Sequence, residues 1–419
     1  MGDRQQSSRR KETIQQLPIP SRQGHDAIVN STYLEDIANA LNKWGCRRAV
    51  IVHSKALDSA TDVIKNLLKR LGSNVVATKP GVGAHSPYED VLAITKLLHE
   101  NSADSLISIG SSSYSDACKI ARLMHTNLAP ENYTVDGMEG LVDQEKGNTL
   151  NLRDPKVKLI VAPTSLSASE WNHVSSASNP KTHKKQHFQN ENAMPDLILL
   201  DPEVASTSPR KLWLSSGMRA VDHCVETICN KSCTPEASQH MEKTLATLLK
   251  GLKEYKEGES NDNREELLAG ISECQLGSRS AMMGLLQYKI AMGPSHAIGH
   301  QLGSKCGVMH GVTTCIMLSP VLRYMLEKEG QQIEPQQKVL AVFNRVLQWD
   351  EQSAADAVGR FVTILELPNS LKSVGVEDED TLQKVAEMTM TDVWGGDTSD
   401  TKQIETKEDI REILELARG

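Results

Sequence analysis

Residues 293–303 read Gly-Pro-Ser-His-Ala-Ile-Gly-His-Gln-Leu-Gly, and Val-Met-His-Gly follows at 308–311. His296, His300 and His310 fall within fifteen residues, the first two standing four apart. On a helix that spacing sets both imidazoles on one face, about 6 Å apart at Cβ. Upstream, Ser-Gly-Met-Arg-Ala-Val-Asp-His at 216–223 places Arg219 and His223 at the same interval. Two helices that aim polar groups at one point can build a metal centre or an acid–base pocket. For any single histidine the alternative is a hydrogen-bonded core residue; for the group, with matching offsets on two helices, a site is the stronger reading. Arg219 bears on which kind of site. A guanidinium has donors only and stays protonated, so it cannot ligate a cation, yet its fork suits a carboxylate.

These residues resemble the iron-dependent (group III) alcohol dehydrogenases and their metal-free relatives, the maleylacetate reductases. In the metal-dependent members an Asp and a His four residues apart, a second His, and a third His fourteen further on hold a divalent ion. The matching positions here are Arg219, His223, His296 and His310. The resemblance therefore implies the metal-free branch, with no metal bound. Three neutral imidazoles can still bind zinc or iron, which leaves a metal-dependent dehydrogenase as one alternative. The resemblance runs from about residue 25 through nearly the whole chain. It implies a dehydroquinate synthase-like, group III dehydrogenase architecture, in which relatives commonly dimerise or go further through their first strands.

The elements that must position these groups fit that plan. Helical apolar spacing at 33–45, 56–71, 88–101 and 114–126 alternates with short apolar runs at 48–53, 74–78, 105–109, 158–162 and 197–200. That rhythm predicts an α/β domain with a doubly wound, mostly parallel, Rossmann-like sheet. Beyond about residue 206 the apolar residues repeat at helical spacing, at 236–255, 264–283, 312–326, 337–347 and 354–365, predicting an all-α domain. The expected boundaries are a disordered polar tail at 1–24, a dinucleotide-binding domain at 25–205 and a helical catalytic domain at 206–419.

In such a sheet, ligands bind where helix N-termini meet the C-terminal ends of strands. The segment after strand 105–109 is Gly110-Ser-Ser-Ser-Tyr-Ser-Asp-Ala-Cys-Lys119. It resembles the family's Gly-Gly-Gly-Ser-x-x-Asp-x-Ala-Lys turn, which wraps the dinucleotide pyrophosphate. Gly110, Ser113, Asp116 and Lys119 match, while Ser111 and Ser112 replace two glycines. The segment 163–170, Pro-Thr-Ser-Leu-Ser-Ala-Ser-Glu, stands where relatives surround the nicotinamide ribose, which implies cofactor roles for Thr164, Ser165 and Ser167. Lys181 matches a family lysine near the cofactor, although its basic neighbours through His187 read as a solvated loop. Ser54 replaces a family aspartate that binds ribose hydroxyls, leaving both NAD and NADP open.

Hydride transfer also needs charge to hold the substrate and a group to manage a proton. Without a metal, imidazolium or guanidinium must polarise the substrate. The resemblance gives His300 the proton relay and frees His223, His296 and His310 to bind or protonate substrate, with Arg219 on a carboxylate. The reading is a metal-independent NAD(P)H-dependent reductase of an unsaturated or keto acid, acting between the domains. A lyase, isomerase or cyclase on the same scaffold is the other alternative, using the His and Arg groups without redox chemistry.

Composition narrows the partners. A net charge of −8 with no dominant basic block argues against nucleic acid. No apolar run reaches the ~18 residues of a membrane span, and the first twenty residues lack a signal peptide's apolar core. Eight cysteines without a Cys-x-x-Cys pair read as free thiols of a reducing compartment. The expectation is a cytoplasmic homodimer with a small anionic substrate.

Overall fold

The structure, a computed structural model, describes residues 10–18, 20–143, 150, 152–182, 185–328, 333–395 and 404–419. The chain divides into two compact units, Met1–Ser208 and Pro209–Gly419.

In the first unit the strands are β1 (Glu12–Gln15), β2 (Asp26–Val29), β3 (Ala49–His53), β4 (Val75–Pro80), β5 (Ser105–Gly110), β6 (Lys158–Pro163), β7 (Val174–Ser178), β8 (Lys185–Gln189) and β9 (Leu197–Leu200). Its helices are α1 (Tyr33–Trp44), α2 (Lys55–Ala60), α3 (Val63–Leu71), α4 (Tyr88–Glu100), α5 (Ser112–Asn127), α6 (Val135–Glu139) and α7 (Pro202–Ala205). Seven strands form one sheet in the order β1-β2-β9-β6-β5-β3-β4, parallel throughout except for the β1–β2 pair. From β3 the chain goes outward to β4 and then returns to the far side of β3 as β5. This reversal opens a crevice at the C-terminal ends of β3 and β5. All six residues of β5 are buried, because helices cover both faces of a parallel sheet.

The sequence reading is corrected in three places here. The expected tail at 1–24 contains β1 and β2's approach: Glu12–Gln15 pairs with Asp26–Val29, and Leu17 and Arg22 are fully buried, so the segment gains its order from backbone pairing and from these anchors. Residues 1–9 lie outside those described. The helix expected at 56–71 breaks where the Thr61 hydroxyl donates to the Leu57 carbonyl at 2.5 Å and accepts from the Val63 amide at 3.2 Å. The basic loop ending at His187 is partly a strand, with Lys185–Gln189 pairing antiparallel to β7 and Phe188 fully buried.

The second unit contains α8 (Arg210–Cys229), α9 (Pro235–Ser260), α10 (Arg264–Ala281), α11 (Met283–Leu286), α12 (Pro294–Cys306), α13 (His310–Glu327), α14 (Ile333–Leu347), α15 (Ala354–Ile364), α16 (Glu379–Met390) and α17 (Lys407–Leu416). Among the described residues it has no strand. One face of α12, Ile298 and Leu302, enters a buried cluster with Val312 and Ile316 of α13 and Leu382 and Val385 of α16. The opposite face carries His296 and His300. Near its start α13 passes so close to α8 that a Cβ on Gly311 would lie 2.5 Å from the Ser215 carbonyl carbon. No helix among the described residues is long and apolar enough to cross a membrane. All eight cysteines are free, six of them buried.

Gly311→Ala is expected to lower stability by about 1–3 kcal/mol through overpacking against rigid backbone. Urea unfolding with an unchanged m-value reads this; an unchanged midpoint would show that the helices separate at little cost.

Candidate functional site

Two constellations emerge, one in each unit. In the first, β5 ends at Gly110 and α5 begins at Ser112, so the helix N-terminus stands at the crevice end of the strand. A Cβ at Gly110 would fall 2.6 Å from the Tyr114 ring, which explains the glycine. Ser111 has φ −73° and ψ 177°, extended backbone that any residue adopts, and Ser112 opens the helix. Serine therefore replaces the family's glycines without strain. Ser111, Ser112 and Ser113 are half-buried, as are Ser54 and Ser167, while Thr164 and Ser165 are nearly buried. The Ser54 amide donates to the Ile109 carbonyl at 3.1 Å, joining the ends of β3 and β5. The Ser112 amide donates to Ser165 Oγ at 3.3 Å, and the Ser169 amide to Ser112 Oγ at 3.4 Å. A helix N-terminus ringed by hydroxyls fits a dinucleotide pyrophosphate.

Asp116 and Lys119 are placed differently from the sequence expectation. Lys119 is fully buried, its ammonium donating to the carbonyls of Ser169, Asn172 and Val174 at 2.7, 3.0 and 3.2 Å and pairing with Asp116 at 3.1 Å. Asp116 accepts from the Ser169 hydroxyl and, at 3.2 Å, from the Ser176 amide. Both residues spend their polar atoms on the loop after β6, holding it rather than facing a ligand. Lys181 is half-exposed and pairs with Asp136 and Glu139 of α6, so two carboxylates claim the charge that was expected near the cofactor. Trp171 is fully buried. Beside Lys119, burial raises Glu170 to about 7.

In the second unit, α8 presents Arg219, Asp222, His223 and Glu226. Arg219 is buried; its Nη1 donates to Thr314 Oγ1 at 3.1 Å and lies 3.6 Å from Asp222 Oδ2. Asp222 Oδ2 also accepts from Ser295 Oγ at 2.9 Å and Thr314 Oγ1 at 2.8 Å, with His296 Nδ1 at 3.2 Å. One turn on, Glu226 accepts from the Gly293 and Ser295 amides at 2.8 and 2.6 Å and holds His296 Nδ1 at 2.6 Å. It thereby caps α12 from a neighbouring helix, its carboxyl set against the positive end of the helix dipole. The His223 and His296 rings stand 4.7 Å apart, and His300 stacks on His310 at 5.8 Å, 12° from parallel. His300 Nδ1 lies 3.1 Å from Asp392 Oδ2.

The structure thus brings together all five second-unit residues expected from sequence. It adds Asp222, Glu226, Ser295, Thr314 and Asp392. Asp222 and Glu226, four apart on the helix already implicated, carried a readable signal; Asp392 carried none.

Electrostatics bears on the expected choice, for His223 and His296, between binding and protonating substrate. Desolvation, then the Arg219 and His300 charges, lower His223 to about 3. Burial and the same guanidinium depress His296 well below its usual range. For both rings the shift favours the neutral, hydrogen-bonding form over imidazolium. Burial raises Asp222, against the pull of Arg219, and raises Glu226 further with help from Asp222. Four buried polar atoms of this cluster have no hydrogen-bond partner among the described residues: Arg219 Nε, Asp222 Oδ1, His223 Nδ1 and His296 Nε2.

The four-ligand metal site of the dehydrogenases does not fit this donor set, because Arg219 offers only donors and a fixed positive charge. Ligand atoms of Asp222, Glu226 and His296 do lie within 4.8 Å of one another. Glu226 is committed to two amides and an imidazole, and Asp222 Oδ2 to two hydroxyls, which leaves Asp222 Oδ1 and His296 Nε2 as the trio's unpartnered atoms.

Fold and site together define an oxidoreductase scaffold with a nucleotide-type crevice and a His/Arg cluster. Family models describe the same division: "Iron-containing alcohol dehydrogenase" matches residues 25–202, and "Fe-containing alcohol dehydrogenase family, C-terminal" matches 213–418. The dehydrogenase ALT3 of Alternaria alternata is 30% identical over 90% of this chain and 100% of its own length. The chain belongs to the iron-containing alcohol dehydrogenase family and is an enzyme of that oxidoreductase class. Among solved structures, sulfoacetaldehyde reductase from Bifidobacterium kashiwanohense, in complex with NAD+, superposes with TM-score 0.74 at 16% identity, covering 92% of this chain and 95% of that one. Maleylacetate reductase from Agrobacterium tumefaciens superposes with TM-score 0.69 at 19% identity, covering 93% and 95%.

Glu170 generates a pH prediction. Below about pH 4.5 native and unfolded chains both hold its proton, and the shift has no effect. Between 4.5 and about 7 only the native state holds it, so stability falls with rising pH, and the loss is complete above about 7. Glu170→Gln removes this cost and is expected to gain up to about 3 kcal/mol over the parent at pH 8, with little gain at pH 4.5. Denaturant unfolding at the two pH values measures the difference; equal gains at both would show that Glu170 does not titrate there.

Proposed function

We propose that this chain is a metal-independent NAD(P)H-dependent reductase of the maleylacetate reductase type, acting on an unsaturated or keto acid. The observation that carries the reading is the buried Arg219 among His223 and His296, with unpartnered polar atoms gathered around it. Buried groups are almost always paired, and a cluster of exceptions is what a polar substrate satisfies. Arg219 Nε is a donor awaiting an acceptor, and a carboxylate or developing enolate oxygen supplies one.

A bound nicotinamide supplies the hydride. The hydroxyls of Ser111, Ser112, Ser113, Thr164, Ser165 and Ser167 and the α5 N-terminus hold the dinucleotide phosphates and ribose. Ser54, in place of a carboxylate, tolerates either ribose hydroxyl or ribose phosphate. Arg219 binds substrate negative charge and stabilises it as it grows. Neutral His223 and His296 orient the substrate by hydrogen bonds, His310 flanks it, and His300 delivers the proton.

Four measurements test the reading. Metal-stripped protein titrated calorimetrically with NADH and NADPH is expected to bind one or both saturably. Failure of both would leave a non-redox enzyme on this scaffold. Arg219→Ala is expected to keep dinucleotide binding while kcat falls by about 10²–10³, the usual cost of one lost charge-stabilising donor. Arg219→Asp is expected to restore a four-ligand set and gain zinc binding detectable by calorimetry. Turnover of the unaltered protein that vanishes on chelation and returns with zinc or iron would overturn metal independence.

A further inference from the structure

His300 is oriented by a residue outside its own helix. Its Nδ1 lies 3.1 Å from Asp392 Oδ2, and Gln301 Nε2 donates to the same oxygen at 2.8 Å. Asp392 stands in the turn after α16. There its backbone amide donates to the Thr389 carbonyl at 3.1 Å, its carbonyl accepts from the Gly395 amide at 2.8 Å, and its Oδ1 accepts from the Trp394 amide at 3.0 Å. The carboxylate is therefore preset by its own turn before it meets the imidazole. The turn is in turn placed by α16, whose Leu382 and Val385 share a buried cluster with Ile298 and Leu302 of α12. One face of the His300 ring is bounded by His310, stacked nearly parallel. Asp392 also acts electrostatically on Arg219, which places its charge within reach of the rest of the cluster. Its side chain is 9% exposed, against 29% for His300, so the carboxylate backs the ring while the ring keeps access to solvent.

We propose that Asp392 is the positioning residue for His300. By accepting the Nδ1 proton it fixes the ring's orientation and tautomer and makes Nε2 the atom that exchanges a proton with substrate. This rests on the reductase reading. In the reductive direction the nicotinamide C–H bond breaks and a substrate C–H bond forms, leaving the oxidised dinucleotide. The imidazolium Nε2–H bond breaks as its proton passes to substrate oxygen or carbon, and His300 is left neutral with its Nδ1–H still on Asp392. Water then returns the proton to Nε2. A carboxylate behind a working imidazole holds the tautomer and stabilises the charged form.

The test combines a tautomer readout with kinetics on the full-length protein. Nitrogen-15 histidine NMR, with His300 assigned by its loss in His300→Gln, is expected to show the Nδ1–H tautomer in the parent and a shift toward Nε2–H in Asp392→Ala. The same Asp392→Ala is expected to lose about 10–100-fold in kcat, the usual effect of removing an outer-sphere partner, while the KM for dinucleotide stays within about twofold. Asp392→Glu should recover part of the kcat. An Asp392→Ala protein with the parent's tautomer or the parent's kcat overturns the proposal, as does one whose losses follow from unfolding and spread equally to dinucleotide binding. Full activity in His300→Gln would instead remove His300 from the chemistry and overturn the underlying reading, while the tautomer measurement still reports on Asp392.

Discussion

Glu226 accepts hydrogen bonds from the Gly293 and Ser295 amides and holds His296 Nδ1, so one buried carboxyl sets the start of α12, its attachment to α8 and the orientation of its first histidine. The rest of the second-unit site depends on that contact. His300 follows His296 by one helical turn, and the α12 face that carries both is fixed once the helix start is fixed. Asp222, one turn earlier on α8, extends the same device by taking the Ser295 and Thr314 hydroxyls, which ties α12 and α13 to one carboxylate. Two buried acids in adjacent turns are costly unless paired. The Arg219 charge, two amide donors and two hydroxyls meet that cost in part, and burial still drives both carboxyls upward.

Arg219 has a second effect, on what the histidines can do. Burial, reinforced by the guanidinium held beside them, pushes His223 and His296 toward the neutral form in the range where isolated imidazoles would titrate. Positive charge in the cluster is concentrated on one residue that never releases it. The division of labour follows from this. In the proposed reading, fixed charge belongs to Arg219, neutral hydrogen bonding to the two desolvated rings, and proton exchange to the more exposed His300 with its own carboxylate.

Much of this was legible in the sequence because it rests on periodicity. The alternation of strands with helices, the helical second half and the two i, i+4 pairs on α8 and α12 all express local spacing. What escaped depends on backbone pairing or on distant residues. β1 and β8 carry polar sequences and become strands because a partner is at hand, not because of apolar alternation. Asp392 lies 92 residues from His300, in a turn with no pattern that marks a site. Lys119 and Asp116 match a phosphate-binding motif, yet the fold turns them inward toward carbonyls and a hydroxyl. A motif position states which residue type is wanted there, and only the surroundings decide whether it faces ligand or chain.

The serine turn makes the same point from the opposite side. Two glycines are absent from the pattern, and glycine there suggests a need for positive φ or close backbone approach. The positive φ proves unnecessary, since Ser111 is extended and Ser112 is the first helical residue. The added atoms are placed usefully: Ser112 Oγ takes the Ser169 amide, and Ser165 Oγ takes the Ser112 amide, so hydroxyls stitch the two crevice loops together. Lys119 completes that stitching from below by holding the carbonyls of Ser169, Asn172 and Val174. A turn that would rely on bare backbone amides in a glycine version gains side-chain cross-links in this one. Rigidity of the loop around the helix N-terminus, rather than the number of glycines, is what would present the α5 amides to a phosphate.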